Sequence, residues 1–309
     1  MWERTGKLRI SPFAKFTHTL DRVNRLLPGG KPHTILTPDM DFYGLRAATK
    51  PYLSFTPEEE RLGREELRKL GISGGRPFIC FHARDSAYLR DAYPDYNWRY
   101  QDCRDSSIHN YIPAAEELAR EGYFMVRMGA IVKEALKTKN PMIIDYAVKG
   151  RTDFLDIYLG AKCRFFICDG SGASSIPMAF RRPIVWVNYV QLEFIPIWGI
   201  QDLFIPRKLW LRKERRFLTL SEIINSDIKR FFSEQYEQLG IEVVENTPEE
   251  IRVVALEMDE RLKGTYKTTG EDEELQRRFW SVYKERWPHR KILSRIGAEF
   301  LRQNLEFLE

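Results

Sequence analysis

The feature that most constrains the fold is a regular alternation of strand-like and helix-like segments between residues 77 and 190. Four short runs are almost wholly apolar, as in strands that are buried on both faces: "PFICFHA", "YFMVRMG", "CRFFICDG" and "PIVWVNYV". Segments with helical spacing, such as "DFLDIYLGAK", separate them. This alternation predicts parallel βαβ units, so we expect an α/β fold with a doubly wound, Rossmann-like parallel sheet.

Turn and capping signals predict the domain limits. Thr56 and Pro57 begin a helix that ends near Gly71, and "SGGRP" then interrupts the chain. We therefore predict three parts: a reduced N-terminal region over 1–74, a nucleotide-binding domain over 75–265 and a helical C-terminal tail over 266–309. Within the second part, "NTPEEI" predicts another capped helix, in which Thr247 is the N-cap and Glu250 completes a capping box.

The tail carries one apolar stripe at helical spacing: Leu293, Ile296, Phe300, Leu301, Leu305 and Leu308. We expect the stripe to pack on the body of the protein. The alternative is a peripheral contact with a membrane surface.

Composition limits the classes of function. Apolar residues make up 43% of the chain and charged residues 30%, as in a soluble globular protein, and the net charge is only +5. Basic residues are interspersed with acidic residues throughout the chain, which argues against nucleic acid as a partner. The four cysteines lack zinc-site spacing, and the N-terminus lacks the apolar stretch of a signal peptide. We expect a cytoplasmic protein.

Polar side chains follow the strands at the sheet edge where ligands of open α/β folds bind. The first strand is followed by His82, Arg84 and Asp85, the second ends in Arg127 and Gly129, and the third is followed by Asp169, Ser171, Gly172, Ser174 and Ser175. The turn after the third strand, "DGSGASS", has glycines that allow close approach of a ligand to the backbone. It also has hydroxyls that can donate hydrogen bonds. A diphosphate suits such a turn, although neither a dinucleotide fingerprint nor a P-loop is present. The alternative is a tight turn without a ligand.

The arginines strengthen the prediction of an anion site. Arg84 can bind phosphate oxygens with two parallel hydrogen bonds, and Arg104 and Arg127 are further candidates. The alternative is that Arg84 pairs with Asp85 and that His82 is a satisfied core histidine. Asp105 or Ser106 is predicted to cap the helix that follows Arg104.

Other acidic residues have simpler interpretations. Asp39 and Asp41 match the D-x-D pattern with which some sugar transferases hold a metal, but they lie outside the βαβ region, and we expect no metal. Asp153 is predicted to be an N-cap. The sequence shows no Ser–His–Asp or Cys–His arrangement.

Several motifs together resemble a family of bacterial surface-carbohydrate glycosyltransferases: "FHARDSAYL", "CRDSSIHNYIPAAEEL", "GYFMVRMG", "DIYLGAKCRFFICDGSG" and "NTPEEI". The resemblance covers roughly residues 30–260, with Cys103 in place of the family's usual tyrosine. It implies transfer of a sugar.

More distantly, His82-Ala83-Arg84 resembles the H-x-R motif of fucosyltransferases that use GDP-fucose, in which the arginine contacts the donor diphosphate. Those enzymes have the GT-B fold, with two facing Rossmann-like domains. The basic residues that follow their motif are absent here, which argues against GDP-fucose. Residues 1–74 are too few for a full partner domain, so we expect either that the first domain is reduced or that this chain begins late.

The resulting hypothesis is a metal-independent glycosyltransferase with a GT-B-like fold. It would move a sugar from a nucleotide-diphosphate donor to a hydroxyl of a saccharide or lipid-linked saccharide. Arg84, Arg127 and the Ser171–Ser175 turn would bind the diphosphate, and Asp85, or alternatively His82, would be the base. Two rival hypotheses are a sugar-nucleotide epimerase or hydrolase, and a binding module without catalysis.

Overall fold

The structure is a computed structural model and describes residues 23–24, 45–51, 53–287 and 290–309. Its centre is a parallel sheet with the strand order β3-β2-β1-β4-β5-β6-β10. The strands are β1 (Phe78–His82), β2 (Phe124–Arg127), β3 (Ile143–Ile144), β4 (Phe166–Cys168), β5 (Ile184–Tyr189), β6 (Leu203–Pro206) and β10 (Arg295–Ile296). The first six follow the order of a Rossmann fold, so the predicted fold class is confirmed.

The sheet is doubly wound because the chain changes direction at its middle. From β1 it moves outward to β2 and β3, and from β4 it moves outward the opposite way. Right-handed crossovers then place the helices of the two halves on opposite faces. Accordingly, α4 (Ile112–Arg120) packs on α9 (Pro248–Lys263), and α5 (Asp153–Lys162) packs on α6 (Ser175–Ala179).

The remaining helices surround this sheet. They are α1 (Leu45–Ala48), α2 (Pro57–Lys69), α3 (Ala87–Ala92), α7 (Leu220–Ile224), α8 (Ser233–Gln238), α10 (Gly270–Arg286) and α11 (Ala298–Gln303). Short 3₁₀ turns cover Arg99–Arg104, Ile108–Tyr111, Tyr146–Val148, Gly172–Ser174, Leu192–Phe194, Asp227–Arg230 and Leu305–Leu308.

Local capping confirms two of the predicted helix starts and moves a third. Thr56 caps α2 and Thr247 caps α9, each with a complete capping box. The cap of α5 is Thr152, whose hydroxyl accepts the N–H of Leu155. The prediction that Asp153 is the N-cap was therefore wrong by one residue, because the Thr152 side chain makes the capping hydrogen bond.

The region after residue 190 contains structure that the sequence pattern did not reveal. A second, antiparallel sheet has the order β8-β7-β9, formed by Lys208–Leu211 (β7), Arg216–Phe217 (β8) and Ile241–Val244 (β9). The predicted division into parts at 74 and 265 stays a prediction. Nonetheless β10, in the tail, pairs with β6 and so extends the central sheet.

The apolar stripe of the tail packs on the body, as expected. Ile296 and Leu301 are fully buried, Phe300 and Leu308 are nearly so, and Leu305 is exposed. Within the described residues, no helix combines the length and the apolar character needed to cross a membrane.

Candidate functional site

The candidate site lies where β1 and β4 adjoin, at the point where the strand order reverses. His82, the last residue of β1, is in register with Cys168, the last residue of β4. After these two strands the chain continues toward opposite sides of the sheet. This divergence opens a crevice at the carboxyl edge, the usual ligand site of a doubly wound sheet. A cleft of about 620 Å³ occupies this position.

Seven of the residues predicted from the sequence line this cleft: His82, Arg84, Asp85, Arg104, Gly129, Ser171 and Gly172. Arg84 follows β1 and Ser171 follows β4, so the arginine and the serine-rich turn share one hollow. Four predicted residues lie outside the lining: Arg127, Asp169, Ser174 and Ser175.

Asp169 holds the two strand ends together from beneath the cleft. It is 1% exposed. Its Oδ2 accepts the backbone N–H of Arg84 at 2.5 Å and the hydroxyl of Ser106 at 2.9 Å, while its Oδ1 has no hydrogen-bond partner within the described residues. Asp169 therefore positions Arg84. The predicted helix cap at Ser106 is wrong, because its hydroxyl binds Asp169 and the following 3₁₀ turn has Ser107 at its N-cap position.

Arg84 forms an ion pair with Asp105, which was predicted from the sequence to cap a helix. Its guanidinium donates to Asp105 and, at 3.3 Å, to the carbonyl of Gln101. Asp105 is thus an ion-pair partner instead of a helix cap, and the alternative of an Arg84–Asp85 pair is wrong. Burial raises the pKa of Asp105 to about 6, and the charge of Arg84 opposes this increase.

Arg104 has no carboxylate partner among the described residues. Its Nη1 donates to Oε1 of Gln101 at 2.8 Å, and its Nη2 donates to the carbonyl of Gly170, in the turn after β4. Both arginines therefore contact Gln101, and both line the cleft. The positive charge of Arg104 is neutralised by no side chain of the described part of the chain.

A third arginine, Arg207, holds the segment that carries Arg104 and was missed by the sequence analysis. It is 4% exposed and donates to the carbonyls of Cys103 at 3.1 Å and Asp105 at 2.5 Å. Burial lowers the pKa of Arg207. On the other side, the Ser233 hydroxyl accepts the N–H of Cys103 at 2.8 Å. Arg207 lies more than 100 residues from Cys103 and Asp105, so no pattern of neighbouring residues could have predicted these contacts.

The serine-rich turn contains one buried hydroxyl without a hydrogen-bond partner among the described residues. The hydroxyl of Ser171 is buried and has no hydrogen-bond partner in the described part of the chain, which leaves it available to a ligand. Ser174 is buried, and its hydroxyl donates to the carbonyl of Ser171 at 2.7 Å, so Ser174 shapes the turn. Ser175 is exposed and lies outside the cleft lining.

His82 and Asp85 differ in the atoms that they leave accessible. Nδ1 of His82 lies 3.1 Å from the carbonyl of Met128, a contact that requires a hydrogen on Nδ1, so that in the neutral ring Nε2 is the acceptor. In contrast, both carboxylate oxygens of Asp85 accept backbone N–H groups, from Ala87 at 2.8 Å and Lys133 at 3.0 Å. His82 is therefore the better placed acceptor for a substrate proton.

Of the two predicted residues at the end of β2, Gly129 lines the cleft and Arg127 does not. Arg127 is 2% exposed and donates to the carbonyl of Glu134 at 2.7 Å and to Asp145 at 3.3 Å. It borders a neighbouring polar pocket of about 270 Å³. Gly129 has φ of +157° and would place a Cβ 2.6 Å from Val132, so only glycine fits there without a shift.

The D-x-D motif at Asp39 and Asp41 lies outside the described residues. Among the residues that the structure describes, no group of three or more His, Cys, Asp or Glu side chains is arranged to hold a metal ion.

Comparisons with known proteins give one distant likeness. No protein-family model matches the chain, and no curated protein matches it. Among solved structures it is similar to the crystal structure of a glycosyl transferase family 9 protein from Veillonella parvula, at 12% identity and a TM-score of 0.40. The match covers 76% of this chain and 57% of the other, so the chain spans less than two thirds of that protein. An assignment of function therefore depends on the residues of the cleft.

Proposed function

We propose that this protein is a glycosyltransferase that binds a nucleotide-diphosphate sugar in the cleft between β1 and β4 and transfers the sugar to a hydroxyl of a carbohydrate. The observation that carries the proposal is the guanidinium of Arg104. It lines a cleft at the switch point of a Rossmann-like sheet, and no carboxylate of the described residues neutralises it.

A diphosphate is the ligand class that these groups favour. A partly buried charge is costly unless it is paired, and a phosphate supplies both the opposite charge and acceptor oxygens. Arg104 and Arg84 contact the same glutamine, so both guanidinium groups can reach one anion. Ser171, in the turn after β4, lines the same cleft, and its hydroxyl has no hydrogen-bond partner among the described residues. The volume of about 620 Å³ is in the usual range for a small-molecule site.

The same groups would stabilise the leaving nucleotide. As the bond between the sugar carbon and the phosphate oxygen breaks, negative charge builds up on the diphosphate. Guanidinium groups that are already held in place can stabilise that charge without reorganisation. We propose that Arg84 and Arg104 supply the positive charge which a divalent metal supplies in other sugar transferases, so that activity persists in EDTA.

His82 is the residue that we propose as the base. Its Nε2 is free to accept the proton of the acceptor hydroxyl as the new glycosidic bond forms, and the hydrogen bond from Nδ1 to Met128 fixes the orientation of the ring. Asp85, the base favoured from the sequence, would instead hold α3 and the loop at Lys133 through its two backbone hydrogen bonds.

Calorimetric titration with UDP, GDP and CDP tests the binding site. We expect one of them to bind and Arg104→Ala to weaken that binding by roughly 10- to 100-fold, since a hydrogen bond to a charged group contributes about 1.5–3 kcal/mol. The matched control is Arg99→Ala, which removes an exposed arginine from the same segment outside the cleft. Equal affinities of the Arg104 and Arg99 variants would rule out this site.

An assay with sugar nucleotides then tests the reaction. We expect release of the nucleoside diphosphate to depend on added saccharide. Rapid conversion of the donor without any acceptor would instead identify a hydrolase or epimerase, and binding without turnover under every acceptor would identify a binding module.

A further inference from the structure

A cluster of exposed aromatic side chains borders the cleft. The segment "YLRDAYPDYNWRY" over 88–100 contains four tyrosines and a tryptophan. Tyr88 is 44% exposed, Tyr93 50% and Tyr96 69%. Aromatic side chains are usually well covered in a folded protein, and a contiguous exposed group of them marks a binding surface.

Four of these rings contact one another around Trp98, and Tyr88 lines the cleft together with Trp98. We call this group the aromatic platform: Tyr88, Tyr93, Tyr96, Trp98 and Tyr100. Trp98 lies at its centre. The centroid of its ring is 6.0 Å from that of Tyr93, 5.7 Å from Tyr96 and 6.1 Å from Tyr100. The indole N–H donates to the carbonyl of Tyr93 at 3.0 Å, and Tyr100 packs edge-on against Phe232 of the body at 5.4 Å. The platform is therefore held in place.

The aromatic platform is continuous with the proposed diphosphate site. Tyr88 and Trp98 line the same cleft as Arg84 and Arg104. Tyr93 and Tyr96 extend from Trp98 beyond the cleft lining. A ligand on the platform would thus reach the diphosphate site with one end and continue along the surface with the other.

We propose that the aromatic platform binds the acceptor, and that the acceptor is a saccharide of at least two sugar rings. The C–H faces of a pyranose pack on aromatic rings, and its hydroxyls need polar groups beside those rings. The platform supplies both, because Asp91, Asp95 and Asn97 are exposed between the tyrosines. The assignment of this saccharide as the acceptor rests on the proposed function, whereas its binding to the platform does not.

Two features favour a saccharide over the nucleobase of the donor. The rings of Tyr93, Tyr96 and Tyr100 all contact that of Trp98, so the cluster contains more rings than one base would need for stacking. In addition, the two most exposed rings, Tyr93 and Tyr96, lie outside the lining of the cleft, whereas we expect a base whose diphosphate is held by Arg84 and Arg104 to lie within that cleft.

The test is binding of maltose, cellobiose, lactose and chitobiose at millimolar concentration, measured by saturation-transfer NMR with the full chain. We expect at least one disaccharide to bind in the absence of nucleotide. Tyr96→Ala should weaken that binding about tenfold and leave the affinity for nucleoside diphosphate unchanged. Because Tyr96 is 69% exposed, its removal should not unfold the protein. The control is Phe194→Ala, an exposed aromatic residue outside the cleft lining.

Each result decides a separate question. Absence of binding by all four disaccharides, or equal binding by the Tyr96 and Phe194 variants, would overturn the saccharide platform. If Tyr96→Ala weakened the nucleotide and not the disaccharide, the platform would hold the base and the proposal would be wrong. Failure of the proposed function would show differently: Arg104→Ala would leave nucleotide binding unchanged, whatever the disaccharides do.

Discussion

Protonation of Asp105 should strengthen the binding of a sugar nucleotide. At neutral pH the Asp105 carboxylate occupies the guanidinium of Arg84, so an incoming diphosphate must compete with it. Burial raises the pKa of Asp105 from 3.8 to about 6. Acidification through pH 6 therefore removes the negative charge that pairs with Arg84 and releases Arg84 to the ligand.

The size of the effect follows from the pKa. With a value of about 6, roughly a tenth of the Asp105 side chains are neutral at pH 7 and roughly nine tenths at pH 5. If the neutral form binds the donor much more tightly than the ionised form, the affinity rises by up to about tenfold between these pH values. Tenfold corresponds to about 1.4 kcal/mol.

The measurement is calorimetric titration with a sugar nucleotide from pH 7 to pH 5. A sugar nucleotide is preferable to a free nucleoside diphosphate because the latter has a terminal phosphate that titrates near pH 6. Asp105→Asn should bind at pH 7 as tightly as the unchanged protein binds at pH 5, and its affinity should be nearly independent of pH. His82→Gln, combined with Asp105→Asn, separates any contribution of the imidazole.

The same substitution has a defined effect on stability. Because the pKa of Asp105 is higher in the folded than in the unfolded chain, its contribution to folding is most favourable below pH 3.8 and is lost as the pH rises to about 6. At pH 7 the folded protein thus bears the cost of a buried charge, and Asp105→Asn should not lower the melting temperature. A pH dependence of binding that survived in the variant with both Asp105→Asn and His82→Gln would refute the reasoning.

Three further predictions concern single positions. His82→Gln should abolish sugar transfer while nucleotide binding, followed by calorimetry, stays within a factor of about two of the unchanged protein; loss of binding instead would make His82 a ligand contact. Ser171→Ala should weaken nucleotide binding about fivefold, the effect of one neutral hydrogen bond, and leave the melting temperature unchanged because this hydroxyl has no protein partner among the described residues. Gly63→Ala, outside the cleft lining, would place a Cβ against the ring of Tyr158 and should cost about 1–3 kcal/mol of stability in urea unfolding, with nucleotide affinity unaltered. A neutral result would contradict the packing of α2 on α5.

Much of the candidate site was predictable because the end of a buried strand can be recognised from neighbouring residues in the sequence. Arg84 and Ser171 each follow a buried apolar run, and parallel strands bring their carboxyl ends to one edge. Arg127 follows such a run equally well, yet its side chain turns to Asp145 and Glu134. Nothing in the residues beside Arg127 distinguishes it from Arg84, since the difference depends on a carboxylate 18 residues further along the chain.

The partners of the charged groups were likewise beyond the reach of the sequence. Asp105 was predicted to cap a helix, since an acid before an amphipathic segment usually does so. It pairs with Arg84 because Arg207, more than 100 residues away, holds the backbone of Cys103 and Asp105 in place. The loosely patterned region after residue 190 supplies this arginine, directly before β7.

The sequence alone determined the class of fold and the edge of the sheet at which the cleft lies. The spacing of apolar residues and the positions of polar residues at strand ends are sufficient for both predictions, because buried parallel strands and amphipathic helices have few ways to pack. Only the tertiary structure decided which guanidinium is neutralised by a carboxylate and which is not. That outcome depends on distances between side chains from separate strands and loops, and these distances exist only once the sheet has formed.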